Sequence, residues 1–460
     1  MVISQSEILG QLNKNTIVFL NFILSNDIYK LHKSICQNLI SYGHKLTLVR
    51  CDRSVNFCSL NPFGFKSICK QCEIQSALFA SDIGCDSIML SSVVSVQKYI
   101  ANNDLNEGVN SSISSLLRKS NLNFEYYFKD NFGYSSSKIF NAFFSIFLSK
   151  NIDNLFLFNG RFSCGRSAIS AAENNGVNFF TYDYKKGESP FLFINTTVHN
   201  INQNIATLNL IKDNDIDIHV KNSFNMRINH LPTFEKIYTK KQVSGYFDKN
   251  YLIPEDKMII TFFLGSEDEF SYLGKYWGGK QYISQINFIE ILASKIDIEH
   301  FSIIVRMHPN QASSNRLELN KLIRQLQSIE NITLIYPEDK VDSYELVKKS
   351  KAVISSMSFI GVESYLLGTP SFFISKCLYS EYIPNSVIYD VDSFLSKINM
   401  HTIALDSIQI LRAKKLYYFF AFLKSDVFEN LNSILILKSQ YPISFYFFKV
   451  INRFLLWIKV

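Results

Sequence analysis

The stretch Phe301-Ser-Ile-Ile-Val-Arg306-Met-His308-Pro309-Asn310 is an apolar run that closes on a basic, polar end. A polar helical pattern separates it from a second run, Ile332-Thr-Leu-Ile-Tyr336-Pro337-Glu338. A third follows, Ala352-Val-Ile-Ser355-Ser356-Met-Ser358, then Gly361-Val-Glu363-Ser-Tyr-Leu-Leu-Gly368-Thr-Pro370 and Ser371-Phe-Phe-Ile. Short β-rich runs that alternate with helical patterns and end in polar or Gly/Pro punctuation read as parallel βαβ units. The polar residues fall just past the carboxyl ends of the runs, where open α/β sheets bind their ligands.

Working outward, the same pattern recurs twice. Near the start, Thr16–Phe22 reads as a strand, Ile28, Leu31, Ile35, Leu39 and Ile40 mark one helix face up to Gly43, and Lys45–Cys51 reads as the next strand. Residues 75–150 read as mostly helical. Asn154–Phe158 is then a buried strand that runs into Asn159-Gly160-Arg161, followed by a helix from Ser163 to about Gly176 and a strand from Val177. A Gly and an Arg at a strand-to-helix turn are either an anion cradle, because free N–H groups and the helix dipole point there, or a tight turn with a surface Arg. Residues 185–250 are Asn-rich loops with a helix near Leu208–Asn214. A connection to a second domain falls near Lys249–Pro254.

Met258–Leu264 opens that domain and enters Gly265-Ser266-Glu267-Asp268-Glu269, a ligand-facing loop. Its three acids are either a solvated helix start or part of the chemistry. A helix over Ile283–Ile296 follows. The expected division is 1–250, 251–400, and a helical, basic and aromatic tail over 401–460. The fold class is α/β throughout.

Composition narrows the function. Of 460 residues, 47% are hydrophobic and 19% charged, a globular balance. The net charge is +7, and residues 401–460 hold eight Lys/Arg against three acids, which leaves the rest nearly neutral. A broad nucleic-acid-binding surface is therefore not expected. No run reaches ~18 apolar residues, so no spanning helix is expected. The N-terminus lacks a basic n-region, so no signal peptide is read. With eight Cys and no export signal, reduced thiols in a cytoplasm are the expectation. Cys51, Cys58, Cys69 and Cys72 lie close in sequence, the last two as a Cys-x-x-Cys half-site for zinc, but the first pair is too widely spaced for a standard knuckle. No metal or cofactor is expected, and a structural zinc on these four is the alternative. In the tail, Lys449, Arg453 and Lys459 among Phe, Trp and Leu suit either an interfacial helix on anionic lipid or a packed terminal helix.

The candidate ligand set is Arg306, His308 and Pro309 after one strand, and Ser355, Ser356 and Ser358 after its neighbour, before a helix with Gly361 and Glu363. Hydroxyls and helix-terminal N–H groups receive phosphate oxygens. Arg306 or His308 balances the charge. Glu363 is placed to accept from ribose hydroxyls, as a carboxylate does in dinucleotide folds. Taken singly, each has a plainer reading as a structural His or an N-cap Ser.

Arg-Met-His-Pro-Asn, Asp342-Ser343-Tyr344-Glu345-Leu346, Ser356-Met-Ser358-Phe-Ile-Gly361-Val-Glu363, Gly368-Thr-Pro370 and Tyr379 together resemble bacterial capsule and O-antigen glycosyltransferases of the GT-B type. The turn at Gly160-Arg161 and the Ser266 loop with Trp277 are similar to elements of the same proteins. The resemblance covers about 255–382, and 150–200 more loosely. It implies two Rossmann-like domains facing a cleft, an N-terminal acceptor domain, a C-terminal nucleotide-sugar domain and crossing C-terminal helices. It also implies donor binding by His308, Pro309, Ser356, Ser358 and Glu363, and no metal requirement. For an inverting reaction, the candidate general bases are Asp183, Glu188 and Glu267. The implied partners are a nucleotide sugar and a glycan or lipid-linked glycan acceptor, with possible inner-membrane contact through the tail. A nucleotide-sugar 2-epimerase, a CDP-alditol phosphotransferase and a non-catalytic assembly scaffold remain open on the same motifs.

Overall fold

The computed structural model describes residues 10, 12–94, 103–119, 122, 125–183, 191–213, 216–231, 242–251, 256–274, 284–309, 311, 316–399 and 405–422. These residues form two compact units. The first draws on 10–200 and 268–274, the second on 201–267 and 284–422.

The first unit is built on strands β1 (Asn15–Phe19), β2 (Lys45–Arg50), β3 (Asp86–Met89), β4 (Asn154–Phe158), β5 (Asn178–Asp183) and β6 (Phe191–Ile194), in the order β3-β2-β1-β4-β5-β6. All neighbours pair in parallel except β5 and β6, which are antiparallel. Helices α1 (Asn26–Ser41), α2 (Lys66–Ile83), α3 (Asn103–Leu117), α4 (Tyr126–Ser149) and α5 (Ser163–Asn174) accompany them. Parallel strands are covered on both faces, so their side chains are apolar without alternation. β4 shows this: all five of its residues are buried, and Phe156 stacks on Phe180 of β5 with centroids 4.4 Å apart.

The second unit carries α6 (Ile201–Asn209), α7 (Asp217–Ile228), α8 (Tyr246–Asn250), β7 (Met258–Phe263), α9 (Gln285–Lys295), β8 (Phe301–Arg306), α10 (Arg316–Gln327), β9 (Ile332–Ile335), α11 (Ser343–Lys349), β10 (Ser350–Ser355), α12 (Ile360–Leu366), β11 (Ser371–Phe373), α13 (Leu378–Tyr382), α14 (Val391–Asn399) and α15 (Ser407–Phe422). Its five strands are all parallel, in the order β11-β10-β7-β8-β9. Each unit is thus a Rossmann-like α/β layer, the expected fold class.

Three local expectations need correction. The helical reading of 75–150 misses β3, a four-residue edge strand with mostly exposed side chains and no apolar run to announce it. The helix expected near Leu208–Asn214 is α6, which ends at Asn209; its buried face is only Ile201, Asn204 and Leu208, too sparse to stand out among Asn and Gln. The strand β6 and the helix α7 lie in the segment read as loop-rich. The tail helix expected from 401 is described only as α15, whose Tyr417 packs on Phe224 of α7 and Phe359 before α12. The basic and aromatic segment from 423 onward lies outside the described residues, as do Trp277 and Glu188. No helix among the described residues is long and apolar enough to cross a membrane.

In the first unit, Asn21 lies just past β1 and is buried; its side-chain amide donates to the Phe158 carbonyl at 2.9 Å and accepts from the Phe158 N–H at 3.1 Å. His32 of α1 is fully buried between the Asn21 carbonyl and the Tyr182 hydroxyl. The carbonyl can only accept, so Nε2 carries the proton and Nδ1 accepts from Tyr182. Burial lowers the His32 pKa to about 4. An unfolded histidine takes up its proton near pH 6.5, so the unfolded chain binds more protons between pH 6.5 and about 4, and stability is full above 6.5 and is lost as pH falls. The urea midpoint is expected to drop between pH 7.5 and pH 5, and to drop less in His32→Gln. A wild-type midpoint that is flat across this interval contradicts the assignment.

Candidate functional site

In the second sheet the chain order reverses between β7 and β10, which is where α/β sheets form a ligand crevice at their carboxyl edge. Two short segments meet there. After β7 comes Leu264-Gly265-Ser266-Glu267, and after β10 comes Ser356-Met357-Ser358. A Cβ on Gly265 would lie 3.9 Å from the Ser356 Cβ and from the Met357 nitrogen, so the two segments are in van der Waals range. Gln285, the first residue of α9, fixes the first of them. Its buried amide accepts from the Gly265 N–H at 2.8 Å, donates to the Gly265 carbonyl at 3.3 Å and donates to the Glu267 carboxylate at 3.0 Å. Glu267 also accepts from the Gln285 N–H at 3.3 Å. Its carboxylate therefore caps α9 and orders the loop.

The serines differ in placement. Ser356 is buried and shares a hydrogen bond with Ser375 at 2.9 Å. Ser358 is half-buried, and its carbonyl accepts from the Gly361 N–H at the start of α12. Ser355 is fully buried with its hydroxyl unpartnered. That hydroxyl lies beneath Gly361, where a Cβ would come within 2.9 Å of it and within 2.6 Å of the Phe373 ring. Ser355 is thus a packing residue under α12.

At the end of β8, Arg306 is 1% exposed. Its guanidinium donates to the Tyr336 carbonyl and, at 3.1 Å, to the Asp339 carbonyl. Burial lowers its pKa to about 10, opposed by Asp339, Tyr251 and Glu338, so it stays cationic at neutral pH. It holds the turn after β9. His308 is half-buried and its backbone N–H donates to Gln311 Oε1 at 3.0 Å. Burial, and then the Arg306 charge, lower its pKa to about 4. The imidazole is therefore neutral near pH 7, and the expected charge-balancing role of His308 becomes that of a neutral hydrogen-bonding group. Pro309 follows it, half-buried. Glu363 is 2% exposed, accepts from Arg227 of α7, and accepts from the Tyr344 hydroxyl at 3.1 Å. A buried, paired carboxylate ties α7, α11 and α12 together. The ribose role read for Glu363 would require that pair to open.

The first unit has its own reversal, between β1 and β4. There Asn159 and Gly160 adopt φ of 62° and 82°. Glycine is required at 160 on a second ground, since a Cβ would meet Ile169 at 2.7 Å and Thr181 at 2.9 Å. The Asn159 amide donates to Asp183 at 2.6 Å, and its Oδ1 accepts from the Arg161 N–H at 3.2 Å. The Arg161 guanidinium donates to the Glu269 carbonyl at 2.6 Å and to Ser115 at 3.3 Å, and covers the Phe162 ring. Burial lowers its pKa, against the pull of Glu269, Asp183 and Asp268. Two residues here were not singled out in the sequence. Arg166 is fully buried, bonded to Asp104 at 3.2 Å and to the Leu273 carbonyl at 2.9 Å. His199 is driven down to about 3 by burial and by the charges of Arg161 and Arg166. The structure thus brings Asp183, Gly160 and Arg161 together in one unit and Ser266, Glu267, Ser356 and Ser358 in the other.

Cys51, Cys58, Cys69 and Cys72 line the wall of a cavity in the first unit, together with Cys164. No group of His, Cys, Asp or Glu among the described residues is placed to hold a metal ion.

No protein-family model matches the chain, and no curated protein matches it. Among solved structures it is similar to KpsC of Thermosulfurimonas dismutans, a beta Kdo 2,4 transferase, with 11% identity over 58% of this chain and 80% of that one and a TM-score of 0.39. It is similar to S. aureus MnaA in a co-structure with UDP, with 12% identity over 94% and 100% and a TM-score of 0.32. The UDP-GlcNAc 2-epimerase of Neisseria meningitidis bound to UDP-GlcNAc is a third, with 12% identity over 89% and 99% and a TM-score of 0.28. What each of these binds is a property of that protein.

Because Gly361 lets α12 lie against β10 and β11, Gly361→Ala is expected to cost about 1–3 kcal/mol by overpacking. Urea unfolding measures this, and an unchanged midpoint would contradict the placement of Ser355 and Phe373 under the helix.

Proposed function

We propose that the protein is a glycosyltransferase of the GT-B type. In this reading the second unit takes a nucleotide sugar at the carboxyl edge of its sheet, and the first unit takes the acceptor, a growing capsule or O-antigen glycan or its lipid-linked form. The observation that carries the proposal is the contact between the Gly265-Ser266 loop and the Ser356–Ser358 loop at the reversal of strand order. Gly265 brings the two loops into van der Waals range, and Ser266 and Ser358 are half-buried hydroxyl donors on them. His308, at the end of the adjacent strand, adds a neutral imidazole N–H.

Departure of the nucleotide places negative charge on a phosphate oxygen. Hydroxyl and imidazole donors held in advance stabilise that charge without reorganising, a contribution that is often the largest in catalysis. For the acceptor, Asp183 is the favoured general base, since it ends β5 and Asn159 fixes its carboxylate at 2.6 Å. Glu267 is better suited to ordering the donor loop through Gln285 than to taking a proton.

The test is a thermal-shift panel of CMP, CDP, UDP, GDP and ADP on wild type and His308→Ala. A ligand at about a hundred times its dissociation constant stabilises by roughly 2.7 kcal/mol. One nucleotide is expected to raise the wild-type midpoint and to lose most of that effect in His308→Ala. No response to any of the five would overturn the donor site.

A further inference from the structure

The Cys69-Lys70-Gln71-Cys72 motif of α2 faces a cavity in the first unit. Cys51 and Cys58, from the chain after β2, and Cys164 of α5 share its wall with both motif cysteines. All eight cysteines of the chain are free thiols. With open solvent left out, the cavity is about 60 Å³. One water needs about 10–15 Å³, so the space admits a few small molecules and nothing much larger.

The motif lies in the first two turns of α2, and helical geometry sets Cys69 and Cys72 on one face with their Cα atoms about 5 Å apart. A disulfide spans roughly 4.4–6.8 Å between Cα atoms. The backbone therefore already holds the two residues within bonding range.

The two thiols differ in their surroundings. Burial raises both. At Cys69 two groups oppose it. The Asn61 amide, itself 1% exposed, donates to the sulfur at 3.1 Å, and the Arg53 guanidinium acts on it by charge. Asn61 is fixed by Phe65, the residue that caps α2: it accepts from the Phe65 N–H at 2.9 Å and donates to the Phe65 carbonyl at 3.0 Å. Arg53 is fixed by Glu73 at 2.8 Å. Donor and cation both favour the thiolate, which is the nucleophilic form. At Cys72 the neighbouring sulfurs of Cys51, Cys69 and Cys164 raise the thiol further. One sulfur is thus suited to attack and the other to follow.

We propose that Cys69 and Cys72 form a peroxide-reactive dithiol, with Cys69 the attacking sulfur and Cys72 its resolving partner. The Cys69 thiolate attacks one oxygen of hydrogen peroxide. An S–O bond forms, the O–O bond breaks, and the departing hydroxide takes up a proton to leave as water. The Cys72 thiol then attacks the Cys69 sulfenic acid. The S–S bond forms, the S–O bond breaks, and a second water leaves with the Cys72 proton. Two thiols are oxidised to one disulfide, and one peroxide is reduced to two waters. Hydrogen peroxide is small and neutral enough for the cavity, and larger hydroperoxides are not. This chemistry stands apart from the glycosyltransferase reading, and nucleotide binding by the second unit neither supports nor opposes it.

The reduced full chain is treated with hydrogen peroxide or, separately, with cumene hydroperoxide. It is then unfolded, its remaining thiols are blocked with N-ethylmaleimide, and it is digested with trypsin. Cleavage after Lys70 separates the two cysteines, so only a disulfide keeps their peptides together, and fragmentation distinguishes Cys72 from Cys85 on the second peptide. Hydrogen peroxide is expected to produce the Cys69–Cys72 link several-fold faster than cumene hydroperoxide, and dithiothreitol to reverse it. In Cys72→Ser the reaction stops at the Cys69 sulfenic acid, which dimedone traps. In Cys69→Ser dimedone traps nothing at Cys72. Arg53→Met, a change at an exposed side chain, slows the link several-fold. Recovery of both cysteines as maleimide adducts, a link from Cys69 to Cys51 in place of Cys72, or oxidation spread evenly over all eight cysteines overturns the proposal.

Discussion

Where strand order reverses, the two adjoining strands part at their carboxyl ends and their last backbone groups have no neighbouring strand to pair with. A buried backbone group left unpaired costs about 1–3 kcal/mol. Both units meet this constraint in the same way. In the first, the Asn21 amide takes both the N–H and the carbonyl of Phe158. In the second, the Gln285 amide takes both the N–H and the carbonyl of Gly265. A side-chain amide replaces the missing strand, and the loop it holds becomes a fixed platform. The Asn159-Gly160-Arg161 turn and the Gly265-Ser266-Glu267 loop both depend on such a clamp.

Buried charge is handled in a related manner. Arg306 is spent on the carbonyls of Tyr336 and Asp339, and Glu363 on Arg227 and Tyr344. Removing one partner of such a group strands the other, which is far costlier than the pair is stabilising. The charged residues of the second unit's edge therefore stabilise the frame. The uncharged polar groups of that edge are the Ser266 and Ser358 hydroxyls and an imidazole that burial keeps unprotonated.

The alternation of strands and helices was legible because a strand covered on both faces is a continuous apolar run, as in Asn154–Phe158 and Phe301–Arg306. β3 was not, being a short edge strand with little apolar signature, and β6 was not because its four apolar residues, Phe191–Ile194, are a short run at the head of an Asn-rich segment. The strand ends carrying His308, Ser356 and Ser358 were legible for the same reason as the strands. The states of those residues were not. That Arg306 faces inward, that Glu363 meets Arg227 across 136 residues, and that His308 stays neutral are all consequences of tertiary burial. Asn21 did leave a trace, a polar residue interrupting an apolar run directly after a strand. Gln285 and His199 left none, since neither position differs from an ordinary helix start or loop.

The central claim is that a nucleotide sits at the reversal of strand order in the second unit. Hydrogen–deuterium exchange with and without the nucleotide that binds tests it most directly. Slower exchange is predicted in peptides spanning Leu264–Glu267 and Ser356–Ile360, with the Asn159–Ser163 turn unchanged. Protection confined to the first unit, with both of those segments exchanging as in the free protein, would contradict it.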